Sequence, residues 1–178
     1  MVFNMLLIDC DNASCVKGKI FEDILDLCFL YCDYFSFTQH DFLWTTDKLK
    51  CELEPFLCEK IVCTRWFRYN VTNKNPLTVL LFGINEEAKK IVKKYWNEIF
   101  LGGDDGCTGC VQNLEDICFF KEGELVLGTV SHEAICQVFP PNSFFEESLK
   151  KIYSQWEYSE KNYGKIYLND YLGKENIM

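Results

Sequence analysis

LTVLLFGINEEAKKIVKKYWNEIF, residues 77–100, reads as a strand running into a helix. Leu77–Phe82 is a short apolar run rich in residues that fit a pleated surface. Asn85 stands where a helix cap belongs, and Glu86 and Glu87 suit the positive end of the helix dipole, with lysines following. Ala88, Ile91, Val92, Tyr95, Trp96 and Ile99 recur at helical spacing as one apolar stripe, while Lys89, Lys90, Lys93 and Lys94 fall mostly elsewhere on the wheel. The four lysines could form a small basic patch, but in an acidic protein they read better as a solvated helix face.

Other elements follow from the same patterns. Phe3–Ile8 suits an initial strand, and Cys10–Lys19 reads as a turn. Ile20, Ile24, Leu27, Cys28, Tyr31 and Phe35 keep helical spacing. Residues 36–44 are aromatic but aperiodic and read as a loop. Thr45 or Thr46 can cap a short helix bearing Leu49 and Leu53, which Pro55 ends or kinks. Lys60–Tyr69 reads as one strand, and Asn70–Pro76 as a turn. Ile117–Phe120 and Leu125–Val130 form a hairpin around Gly123. Ile135–Phe139 is a further strand, stopped by Pro140 and Pro141. Ser143 with Glu146 matches a capping box ahead of a helix carrying Phe145, Leu149, Ile152 and Trp156. The tail from Tyr158 on is polar and tyrosine-rich, and either docks or frays. The expectation is an α+β fold: one domain over residues 1–178, mainly antiparallel sheet packed against three to four helices.

Composition narrows the function. The chain has 178 residues, 16% aromatic, with a net charge of −9. It can bury enough surface to fold, which argues against intrinsic disorder. The charge disfavours DNA, RNA and anionic membranes, which are gripped by Lys and Arg, and it suits a basic protein partner. Residues 1–58 carry −6, residues 59–100 carry +4 and residues 101–178 carry −7, a pattern that fits either internal complementarity or two faces of opposite sign. Met1–Ile8 is too short and lacks the basic flank of an export signal, and no apolar run approaches a membrane span. A cytoplasmic, reducing setting and free thiols are therefore expected for the 11 cysteines. Cys28, Cys32, Cys118 and Cys136 sit on faces that read as buried.

No site motif is complete. Cys107-Thr-Gly-Cys110 has C-x-x-C spacing but no second ligand pair and no strand–turn–helix setting, so two loop thiols are the better reading. Ser131-His132-Glu133 offers a general base in His132, with Glu133 to orient it and a cysteine as nucleophile. The bland reading is a polar strand end with a structural histidine. Asp9 and Asp11 after an apolar run resemble a phosphotransferase's strand-borne acids, but the remaining signatures are missing and a turn fits better. Gly102–Gly106, holding Asp104 and Asp105, lacks both the phosphate-loop and the EF-hand pattern. Neither a metal site nor a cofactor site is expected.

Asn113-Leu-Glu-Asp-Ile-Cys-Phe-Phe, leading to Ser131-His132-Glu133, resembles a pattern of small bacterial toxin-immunity proteins. In these an E-D-hydrophobic-x-F segment enters a hairpin that ends in H-E. Thr64-Arg65-Trp66 and the 85–100 helix precede it here, as in those proteins, and the likeness spans roughly residues 60–140. It implies a non-catalytic protein that neutralises a toxin by binding, and it carries over no functional residue. On the bottom-up reading, the candidate contacts for a basic toxin domain are Asp104, Asp105, Glu122 and Glu124, with Trp66, Phe67 or Tyr69 as aromatic anchors where exposed. The alternative is a small cytosolic enzyme using His132 with a cysteine or with Asp9 and Asp11. Oligomeric state is open.

Overall fold

A computed structural model describes residues 5–8, 15–39, 48–100, 114–159 and 165–172. The expected strand–helix unit stands: strand β6 is Leu77–Gly83 and helix α3 is Glu86–Tyr95. Asn85 caps the helix, its side chain accepting from the Ala88 N–H at 2.9 Å. The other helices are α1 (Lys19–Tyr31), α2 (Lys48–Leu53) and α4 (Ser143–Ile152). The other strands are β1 (Met5–Ile8), β2 (Tyr34–Gln39), β3 (Leu57–Cys63), β4 (Arg65–Trp66), β5 (Tyr69–Asn70), β7 (Leu114–Lys121), β8 (Glu124–Val130), β9 (Ile135–Val138) and β10 (Glu157–Ser159).

Eight strands form one sheet in the order β10-β1-β9-β8-β7-β2-β6-β3, every pairing antiparallel. The α+β expectation is met, with four helices. Alternation along β6 sends Leu80 and Phe82 to one face of the sheet and Val79 and Leu81 to the other. The first face packs on the helices through Ile24, Leu27, Val92, Phe145 and Leu149. The second is covered by the small β4–β5 hairpin, which supplies Trp66 and Phe67, and by Leu168 of the 165–172 segment. That segment docks: Leu168 N–H donates to the Gly123 carbonyl at 2.7 Å, and Leu125 N–H to that of Ile166 at 3.1 Å.

Four readings are corrected. The stretch read as a loop from Ser36 holds residues 36–39 of β2, a central strand between β7 and β6. Its Phe-Ser-Phe-Thr alternation was hidden because Ser36 and Thr38 are themselves buried, so both faces of the strand are covered. The preceding helix ends at Tyr31, not Phe35, whose side chain belongs to β2 and stacks on Phe82. The strand expected over Lys60–Tyr69 breaks at Thr64 into β3 and the β4–β5 hairpin. The cap of α4 is Asn142, accepting from the Phe145 N–H at 2.9 Å, while Ser143 is already helical.

No helix among the described residues is long and apolar enough to cross a membrane. Two lysines of α3 are matched from the acidic 1–58 segment, Lys93 reaching Asp26 and Lys94 reaching Glu52, each at 2.7 Å, and Lys90 pairs with Glu87 on the same helix at 2.7 Å. Around this helix the uneven charge is internal complementarity, which leaves little field for a polyanion.

Candidate functional site

The two ends of the E-D to H-E segment meet in space. Between β2 and β7 the register slips, Ser36 facing Cys118 but Thr38 facing Glu115, so β7 carries one extra residue there. Asp116 absorbs that bulge in the left-handed region, at φ 56. Asp tolerates this conformation better than most residues, because its short side chain can bond locally. The bulge turns the Asp116 carboxylate inward, where the residue is 1% exposed.

Three donors meet that carboxylate. The Ser131 N–H donates to Oδ1 at 2.6 Å, the Thr38 hydroxyl to Oδ2 at 3.0 Å, and the Tyr69 hydroxyl also to Oδ2. Thr38 belongs to β2, Tyr69 to β5 and Ser131 to the turn after β8, so one side chain ties three elements together. Burying a carboxylate is tolerable only with such partners. Tyr69 in turn lies 3.4 Å from His132 Nδ1, the two rings 5.7 Å apart. With the Tyr69 proton committed to Asp116, the Tyr69 oxygen is left to accept from an Nδ1–H of His132. Burial, then the Asp116 charge, pushes the Tyr69 hydroxyl far above its ordinary range, so it stays protonated.

Glu115, Asp116 and His132 each offer a ligand atom, all within 4.8 Å of one another. That composition suits a divalent ion, but the Asp116 oxygens are already taken by three protein donors, so the cluster fits a latch better than a metal centre. Among the described residues, three of the four non-glycine residues at positive φ lie in or beside this cluster: Asp116 itself, Arg68 next to Tyr69, and Ala134 after Glu133. The fourth, Glu122, precedes Gly123 in the β7–β8 turn, where a two-residue hairpin loop calls for positive φ.

The thiols give no activated nucleophile among the described residues whose shift is resolved. Burial pushes Cys32 and Cys118 up to about 12 and Cys63 up to about 11, and raises Cys28 and Cys136 well above the ordinary value. Such thiols are protonated at neutral pH and unreactive.

Of the residues read as partner contacts, Trp66 is corrected. It is 3% exposed and packs on Phe120 and Tyr171, and Phe67 is buried beside it. Tyr69 is half-buried. Glu122 is exposed at the β7–β8 turn, and Glu124 is exposed but paired with Lys165. Asp104, Asp105, Cys107, Cys110, Asp9 and Asp11 lie outside the described residues. Sequence reasoning missed Asp116, whose signal was an acid inside the apolar run Leu114–Phe120. It also missed Thr38, and it named Tyr69 only as an aromatic anchor; the tertiary fold brings both to Asp116. No family model matches the chain, and comparison with curated proteins and with solved structures returns no match.

Proposed function

We propose that this chain is a non-catalytic protein-binding protein that neutralises a cognate bacterial toxin by direct contact. One observation carries the reading: Asp116, the acid that adjoins His132 through Tyr69, is taken up by the fold. Asp116 spends its acceptors on Ser131, Thr38 and Tyr69, and the buried cysteines are held as thiols. What remains for function is a surface of excess negative charge, −9 over the chain, which suits the basic cleft of a toxin that acts on a polyanion. The resemblance of residues 60–140 to immunity proteins points the same way.

The test is growth rescue. The chain is co-expressed with the gene product encoded immediately upstream of it. The expected outcome is that the neighbour alone arrests growth and the pair forms a stable complex and grows. A harmless neighbour, or toxicity untouched by this chain, removes the proposal.

A second reading, a small enzyme with His132 as base, is favoured by the exposed His132 ring, whose Nδ1 lies 3.4 Å from the Tyr69 hydroxyl. The variant His132→Ala separates the two readings. Rescue at the wild-type level fits binding alone, and rescue lost with the complex still formed fits chemistry.

A further inference from the structure

We propose that the partner docks on one end of the molecule, formed by the last turn of α1, the first turn of α4 and the β7–β8 turn, and that it presents an apolar side chain flanked by Lys or Arg. The inference rests on the binding reading above and names the surface and the chemistry it takes.

Leu30 and Phe144 are the most exposed of the large hydrophobic side chains among the described residues, at 75% and 61%. They come from helices distant in sequence whose ends adjoin at Tyr31. Leu30 immediately precedes Tyr31, whose ring lies 6.1 Å from Phe144 and edge-on to Phe145 at 5.5 Å. Phe145 is fully buried and its N–H is held by the Asn142 cap, so Phe144 projects from a fixed helix start. An anchor that is ordered before binding loses little entropy on docking. Scattered exposed apolar residues need no explanation, whereas the two largest exposures at adjoining helix ends, one of them against the Tyr31 ring, do.

The rim is acidic. Asp33, two residues beyond Tyr31, accepts from Lys121 Nζ at 2.9 Å and from the Glu122 N–H at 2.8 Å, which ties the β7–β8 turn to this end. Burial pushes the Asp33 carboxyl up, but the Glu122 N–H and the Lys121 ammonium together hold it below its ordinary value. Glu122 is exposed on the turn, and Glu147 is exposed one turn along α4 from Phe144. Lys121, the cation bound here, is matched by Asp33. The field therefore favours a cationic partner. It opposes a second copy of this chain, which carries the same −9.

Two measurements test it. The upstream gene product is titrated calorimetrically into the wild type and into Leu30→Ser/Phe144→Ser, Glu122→Lys/Glu147→Lys and Glu98→Lys. The first two variants should each weaken binding by roughly 30-fold or more. Glu98→Lys, beside Gly18 at the far end of α1, should bind like wild type. Equal losses from all three would reduce the effect to bulk charge and overturn the docking site, as would none from the first two. Binding absent in the wild type removes the toxin reading, and the surface is then decided by the second measurement. A synthetic amphipathic Leu/Lys peptide is titrated into ¹⁵N-labelled protein. Amide shifts gathered on Leu30, Tyr31, Glu122, Phe144 and Glu147 support the site. Shifts spread over the acidic surface, gathered elsewhere, or replaced by self-association on sedimentation overturn it.

Discussion

At the residue scale, the informative side chain is Asp116. An isolated acid in an apolar strand looks like a mistake until its donors are counted, and each comes from a different element: β2, β5 and the turn after β8. Removing it strands those donors in the interior and leaves alanine in a left-handed backbone at φ 56. Asp116→Ala should therefore cost about 3 kcal/mol or more in urea unfolding, against about 1 kcal/mol for Thr38→Val, which deletes one donor and keeps the shape. Equal losses would mean that the carboxylate does not organise the corner. The same position marks where sequence reading ran out. Glu115-Asp116 and His132-Glu133 were visible as pairs, but nothing along the chain says that a bulge turns Asp116 inward to meet Ser131.

At the scale of elements, strands and helices with an apolar run or strong periodicity were legible, and a buried strand carrying polar residues was not. The strand β6, the helix α3 and the β7–β8 hairpin follow from an apolar run, helical spacing and a turn glycine. The strand β2 escaped because Ser36 and Thr38 removed the hydrophobic signal from one face while tertiary contacts buried it anyway. Inside the hairpin, Phe119 faces Leu127 and Phe120 faces Leu125, so Val126 is the bulged residue, and Val126 and Leu127 both reach the helix-side core. The β4–β5 hairpin lies on the opposite face with the Phe67 ring directly over Gly128, where an added Cβ would come within 2.8 Å of it. Gly128→Ala should cost about 1–3 kcal/mol. Phe67→Leu in the same chain should recover part of that loss, so the double variant costs less than the sum of the singles in a denaturation cycle. Simple additivity would show that ring and glycine do not touch.

At the scale of the whole molecule, the chain behaves as a sheet insulated on both faces, and its buried thiols and Tyr69 record that insulation. A thiol whose pKa rises on folding adds stability that is complete below the ordinary value of 9.0 and is lost as pH climbs through the folded values, about 11 for Cys63 and about 12 for Cys32 and Cys118. Tyr69 shifts in the same direction. Thermal unfolding should therefore show Tm falling between pH 9 and 12, and a flat profile there would contradict the burial. In the same samples Cys15, Cys51 and Cys58 should alkylate in the native state, while Cys28, Cys32, Cys118 and Cys136 should wait for unfolding. The sequence by itself determined the class of the fold, the acidic balance and the absence of a complete catalytic motif, because composition and local periodicity are properties of neighbours along the chain. Only the tertiary structure decided that Ser36 and Thr38 lie in a central strand, that Trp66 is core, that Asp116 latches three elements and that Phe144 packs on Tyr31 at one end. Those facts depend on which surfaces face each other across the sheet. Each joins residues far apart in the chain, and local pattern carries no record of such pairings.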